Sequence, residues 1–170
     1  MFALHPQLKS DTHFICDLSL SSLLLMNDAN YLWLILVPRK PDLIELTDLS
    51  FAEQTQVLRE INSVAEILKK EFNAEKLNIA ALGNVVSQLH IHVIGRKKND
   101  VTFPKPVWGN APAKPYETTE VAALVQQIKL NLLTWINRPR TCCGVNFNFL
   151  PNEYREPKQT ITLPINPPRL

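Results

Sequence analysis

The side chains best equipped for chemistry are His90 and His92, in the run Gln88-Leu89-His90-Ile91-His92-Val93-Ile94. Imidazole has an ordinary pKa of about 6.5, so near neutral pH it can serve as nucleophile, base or acid. Side chains alternate across an extended strand. Leu89, Ile91 and Val93 then point one way and Gln88, His90 and His92 the other, with same-face neighbours roughly 6.5–7 Å apart. The apolar set can pack beneath a helix, and the polar set can touch successive parts of one extended ligand, such as adjacent phosphoryl groups. Imidazole is also a nucleophile toward phosphorus, giving a covalent intermediate that water can cleave. Phosphoryl and nucleotidyl transfer needs mainly positioning and charge neutralisation. Arg96, Lys97, Lys98 and Lys105 follow the run and could supply positive charge.

Two other readings of the histidine pair stand beside this one. Both rings can simply face solvent on a half-exposed strand, or they can be two ligands of a zinc site. A catalytic zinc needs at least three protein ligands. The other histidines, His5 and His13, lie far back in the sequence and no acidic cluster is obvious, so no metal ligands are assigned.

The elements that must hold this run can be read from composition and period. His13 to Leu18, Leu20 to Met26 and Tyr31 to Val37 read as strands. Asn27-Asp28-Ala29-Asn30 between the last two is a turn by composition, which predicts an antiparallel hairpin. Ser50 with Glu53 makes a capping box, and Val57, Ile61, Val64, Leu68 and Phe72 recur at helical spacing, predicting a helix that ends near Asn73. Strands are predicted over Leu77 to Leu82 and Ser87 to Gly95, joined by Gly83-Asn84. Residues 96–115 read as loop, with Pro104, Pro106, Pro112 and Pro115. A second helix is predicted from Glu117 to Trp135, capped by Thr118 or Thr119, with Val121, Leu124, Val125, Ile128, Leu132 and Trp135 as its stripe. Strands followed by helix, with short links, argue for an α+β domain on an antiparallel sheet. Residues 1–137 form that domain, and the proline-punctuated 138–170 read as an extension, wrapping or partly disordered, with short strands possible at Val145 to Leu150 and Thr160 to Leu163.

Bulk properties bound the partners. With 170 residues, 45% hydrophobic and 20% charged, the chain can close one hydrophobic core. A formal charge of +2 makes nucleic acid no default partner. The stretch Tyr31 to Val37 is too short to span a bilayer. The opening residues make a poor signal peptide. Three cysteines, Cys16, Cys142 and Cys143, without C-x-x-C spacing point to free thiols in a reducing cytoplasm.

The run Gln88 to Ile94 resembles the histidine-triad motif H-φ-H-φ-H-φ-φ (φ apolar), with Gln in place of the first histidine. Leu77 to Val86 before it and Pro106-Val107-Trp108-Gly109 after it are similar to a bacterial branch of that family often labelled diadenosine-tetraphosphate-hydrolase-like. Leu25 to Asp28 followed by Trp33 to Pro38 resembles the family's nucleoside-binding hairpin, and the likeness spans roughly residues 10 to 137. It implies a five-stranded antiparallel sheet with two helices, dimerised, acting on dinucleoside polyphosphates or nucleoside phosphoramidates. It implies His90 as nucleophile, forming a nucleotidyl-histidine, and His92 as the residue that contacts the phosphate and helps the leaving group depart. Asn84 falls at the phosphate-binding position, and Asn27 or Asp28 near the ribose ligand. Gln88 stands where the first histidine would be. Its amide can still hold a neighbouring ring or a phosphate. Trp33 stands where some members carry a fourth histidine, and mid-strand it reads as core. Trp108 reads as a cover for the nucleobase or the site mouth, or else as a plug between loop and sheet or a residue of a dimer interface. No cofactor is required on this reading, though Mg2+ can assist by neutralising substrate phosphates. The alternative is a nucleotide-binding module with weak or no turnover.

Overall fold

The computed structural model describes residues 1–136, 141–142 and 145–146. Two units are distinguished, Met1–Arg138 and Pro139–Leu170. The elements of the first, in chain order, are α1 (Pro6–Asp11), β1 (Thr12–Asp17), β2 (Ser21–Met26), β3 (Leu32–Pro38), α2 (Phe51–Lys70), β4 (Lys76–Ala80), β5 (Ile91–Arg96) and α3 (Thr118–Ile136). The five strands form one antiparallel sheet in the order β1-β2-β3-β5-β4, the α+β architecture that sequence order implied. In the second unit β6 (Thr141–Cys142) pairs antiparallel with β7 (Val145–Asn146). Most of the segment read as an extension, including the strand expected at 160–163, lies outside the described residues.

Local chemistry explains the central elements. The β2–β3 hairpin turns at residues 27–31, where the Asp28 carboxylate accepts from the Asn30 N–H at 3.0 Å. At α2 the Ser50 hydroxyl accepts from the Glu53 N–H while the Glu53 carboxylate accepts from the Ser50 N–H, so the capping box forms. Val57, Ile61, Val64 and Leu68 are buried on one side of that helix. α2 stops at Lys70, three residues before the expected Asn73, and Asn73 itself turns left-handed at φ 56°. Glu60 is buried on α2, and its carboxylate accepts from the N–H groups of Leu20 and Ser21, tying the β1–β2 turn to the helix.

The sheet is covered on both faces, which is why β2, β3 and β5 read as almost continuous apolar runs. One face (Leu23, Leu25, Leu34, Leu36, Leu89, Ile91, Val93) packs against α2 and α3. Leu24, Trp33, Ile35 and Ile94 on the other face pack with Leu8 of α1 and with Val86 and Val107 from the flanking loops. Helix α1 escaped the sequence reading because six residues show no period, although Pro6 at its first turn and His5, which caps the Gln7 N–H, are start signals.

Several expected boundaries shift. β5 begins at Ile91 rather than Ser87, because the backbone before it bonds elsewhere: the Leu89 N–H donates to the Leu43 carbonyl at 2.8 Å. Residues 81–90 are thus a ten-residue connection rather than a Gly83-Asn84 turn. Thr118 is the first residue of α3 and not its cap, since the Val121 N–H closes the first turn on the Glu117 carbonyl. On α3, Ile128 and Leu132 are buried and Val121, Leu124 and Val125 partly so. Ile67 of α2 is also in the core at 1% exposure, whereas Phe51 and Leu58 are exposed.

Candidate active site

His92 lies in β5 opposite Ile35 of β3 and Ala80 of β4. His90 lies just before the ladder begins, yet alternation still holds, with Leu89 and Ile91 buried on the helix side. The two imidazoles meet edge to face with centroids 4.8 Å apart, and are 7% and 6% exposed. Backbone alternation and a covered sheet face thus bring two rings into contact in a nearly dry place.

Their hydrogen-bond partners set opposite tautomers. His90 Nδ1 lies 2.7 Å from the Gln88 carbonyl oxygen. A carbonyl can only accept, so this nitrogen carries the proton and Nε2 keeps a free lone pair. His92 Nδ1 lies 2.9 Å from Trp33 Nε1. An indole N–H can only donate, so His92 Nδ1 is the lone pair and Nε2 bears the hydrogen. Burial, with a smaller contribution from His90, pushes the His92 pKa down to about 4. One ring presents a nucleophilic nitrogen, and its neighbour presents a neutral donor.

Two indoles complete the enclosure. Trp33, expected to be core, is core at 5% exposure and also the direct partner of His92. Trp108, from the loop after β5, packs edge to face on His92 at 5.5 Å and on Trp33 at 5.8 Å. Its buried indole N–H has no hydrogen-bond partner among the described residues.

The other residues singled out in the sequence fall in different places. The Gln88 side chain, expected to orient an imidazole or phosphate, pairs instead with the leading segment: Oε1 accepts from the His5 N–H and Nε2 donates to the Ala3 carbonyl, both at 2.9 Å. Phe2 and Leu4 of that segment pack on the apolar layer around Trp33. It is the carbonyl of Gln88, not its amide, that orients His90. Asn27 and Asp28 sit at the hairpin turn and hold residues 114–116, through bonds from the Tyr116 and Lys114 N–H groups to their side-chain oxygens. Register places Leu32, just past that turn, beside Gly95, three residues from His92, or roughly 10 Å along the strand. Asn84 is exposed in the 81–90 connection.

Arg96 does not offer its charge to a phosphate. It is 2% exposed and forks onto Asp100 at 2.6 and 2.9 Å, while also donating to Asn78, Thr102 and the Lys105 carbonyl. This buried pair anchors the loop that carries Trp108. His13 is half-buried with Nε2 enclosed and unpartnered among the described residues. A cleft of about 350 Å³ opens between the hairpin turn, the C-terminal end of α2 and residues 95–100, but neither histidine lines it. Among the described residues no group of three His, Cys, Asp or Glu is arranged to hold a metal ion. None of the described helices is long and apolar enough to cross a membrane.

Comparison with known proteins adds to this geometry. A model of the HIT domain matches residues 7–99. A histidine triad protein from Bradyrhizobium japonicum is 45% identical and superposes with a TM-score of 0.75, the match covering 77% of this chain and 98% of that one. Another from Sinorhizobium meliloti is 43% identical (TM-score 0.75), covering 76% and 96%. A third from Marinobacter aquaeolei is 38% identical (TM-score 0.77), covering 79% and 98%. No curated protein matches the chain.

Proposed function

We propose, from the premise that this chain belongs to the HIT (histidine triad) domain family, that it is a nucleotide hydrolase or transferase working through a nucleotidyl-His90 intermediate. The observation that carries this reading is the pairing of tautomers. His90 has its Nδ1 proton tied to the Gln88 carbonyl and its Nε2 lone pair free, beside a neutral Nε2–H donor on His92. In the first step His90 Nε2 forms the bond to phosphorus while the bond to the leaving group breaks. The positive charge that develops on the ring is stabilised through Nδ1–H by the Gln88 carbonyl. His92 Nε2–H donates to a phosphoryl or leaving-group oxygen. Water then forms a new P–O bond, the N–P bond breaks, its electron pair returns to Nε2, and the water proton passes to solvent.

Asn84 is the residue we assign to a non-bridging phosphate oxygen, and Asn27 and Asp28 to the nucleoside end. Trp108 covers the site, with its indole N–H unpartnered among the described residues. No resident metal is assigned, and the role left to Mg2+ is neutralising substrate phosphates. The substrates are dinucleoside polyphosphates or nucleoside phosphoramidates. A cytoplasmic setting fits the composition. We also read the protein as a homodimer. β4 is an edge of the sheet and carries the exposed Ile79, and α2 exposes Phe51 and Leu58. A monomeric mass by light scattering at micromolar concentration would refute the dimer.

The deciding experiment is rapid quench of enzyme with a dinucleoside polyphosphate or a phosphoramidate, followed by peptide mass spectrometry. An adduct of nucleotidyl mass on His90, absent in His90→Ala, is expected. Removing the nucleophile abolishes turnover, whereas affinity stays within about tenfold because one lost neutral hydrogen bond costs only about 0.5–1.5 kcal/mol. Undiminished hydrolysis by His90→Ala would sink the covalent route. The use of Gln88's amide on the leading segment favours one second reading, a nucleotide-binding module without turnover. That reading predicts binding of AMP with no adduct.

A further inference from the structure

Sequence placed Trp33 in the core, but its indole N–H ends 2.9 Å from the one nitrogen of His92 that would have to accept a proton for that ring to become an acid. The indole is held there from several sides. It is 5% exposed, and it meets Tyr31, His92 and Trp108 edge to face at 6.4, 5.4 and 5.8 Å. The groups that face His92 are Trp33 from β3, Trp108 from the loop after β5, and His90 from its own run. The two indoles do not titrate, and no carboxylate pairs with His92 among the described residues.

We infer that Trp33 is a positioning residue that keeps His92 in its neutral Nε2–H form through the reaction, so that the site selects nucleotides joined to their leaving group by an acid anhydride over those joined to an amine. This rests on the nucleotidyl-transfer reading above and chooses between its two substrate classes.

The electron count makes the choice. With an anhydride, His90 Nε2 forms the N–P bond, the P–O bond breaks, and the electron pair stays on an oxygen that is already stable as a phosphate or carboxylate anion. No proton is required, and a hydrogen bond from His92 Nε2–H suffices. With a phosphoramidate the P–N pair goes to nitrogen, and a free amide anion is far too basic to leave unprotonated. That step needs a proton delivered to the amine nitrogen. His92 could deliver one only as imidazolium, with both ring nitrogens protonated, and the Trp33 N–H occupies the approach to Nδ1. Protonation there would set two donors against each other in a buried place. Burial acts in the same direction.

Trp33→Phe keeps an aromatic ring at this position and removes the N–H together with one ring of the indole. Two readouts test the inference, the first independent of turnover. In protein labelled with 15N-histidine, His92 (identified by its absence in His92→Gln) should show an unprotonated Nδ1 and a protonated Nε2 across about pH 5.5 to 8. In Trp33→Phe it should titrate at least one pH unit higher than in the native protein. The second readout is the ratio of kcat/KM for diadenosine tetraphosphate to that for adenosine 5′-phosphoramidate. The native ratio should favour the anhydride. It should fall at least tenfold in Trp33→Phe, with a phosphoramidate rate that declines as pH rises through the new His92 pKa. A native His92 that is protonated at neutral pH, or whose Nδ1 carries hydrogen, would overturn the inference. So would an unchanged substrate ratio in a folded Trp33→Phe protein. No turnover of either nucleotide by the native protein would instead overturn the enzymatic reading and, with it, the selectivity. The histidine spectrum would even then decide whether Trp33 sets the tautomer of His92.

Discussion

Acid should destabilise this protein through His92 well before its carboxylates matter. The ring has a folded pKa near 4 because it is buried against two indoles and a second imidazole. In the unfolded chain its pKa is about 6.5. Between those values the unfolded chain binds the extra proton, so stability falls as pH drops and is fully present only above about 6.5. Taking the two values at face, the loss between pH 7 and pH 5 is about 2 kcal/mol, and it approaches about 3 kcal/mol near pH 4. For a domain of ordinary stability this is a large fraction. Urea unfolding at pH 7 and at pH 5, with the slope held common, measures the difference. His92→Gln keeps an acceptor near the Trp33 N–H and cannot titrate, so its loss over the same interval should be smaller by about 2 kcal/mol. The Glu53 carboxyl, held at about 2 by Lys40 and Ser50, and that of Asp100, lowered by Arg96, contribute at lower pH and cancel in the comparison. Equal acid sensitivity in the native and His92→Gln proteins would refute the account of a buried neutral ring.

Gln88→Leu should free the leading segment, since both ends of the amide are used on Ala3 and His5. Hydrogen exchange of residues 2–5 should quicken, at a stability cost of about 1–2 kcal/mol. His5 has φ −54°, which proline can adopt, so His5→Pro removes the N–H donor along with the side-chain cap of Gln7, while His5→Ala loses the same cap but keeps the donor; exchange of residues 2–4 should be faster in His5→Pro than in His5→Ala, and equal exchange in the two would contradict the latch. Asp100→Asn leaves Arg96 buried without its counter-charge and should cost about 3–5 kcal/mol by chemical denaturation, against under about 0.5 kcal/mol for Lys69→Met in an exposed pair. Similar costs for the two substitutions would show that Arg96 is not the anchor of the Trp108 loop.

Sequence by itself determined what repeats along the chain. Period-2 alternation put His90 and His92 on one face and Leu89, Ile91 and Val93 on the other, and that division survives even though the ladder starts at Ile91. The Ser50–Glu53 cap, the apolar stripe of α2 and the 27–30 turn were legible because each is a contact between near neighbours. What sequence could not supply were partners set by the path of a loop or by pairings tens of residues apart. Arg96 looks like a phosphate ligand until Asp100, Asn78 and Thr102 are seen around it. The amide of Gln88 looks like a substitute for histidine until residues 3 and 5 fold back onto it, 85 and 83 positions away. Trp33 reads as core by its setting, and only the antiparallel pairing of β3 with β5 brings its N–H to His92 across 59 residues. The identity of the two facing rings was local and therefore readable. Which nitrogen of each ring bears the proton depends on what the fold sets against it, and that was decided by tertiary structure.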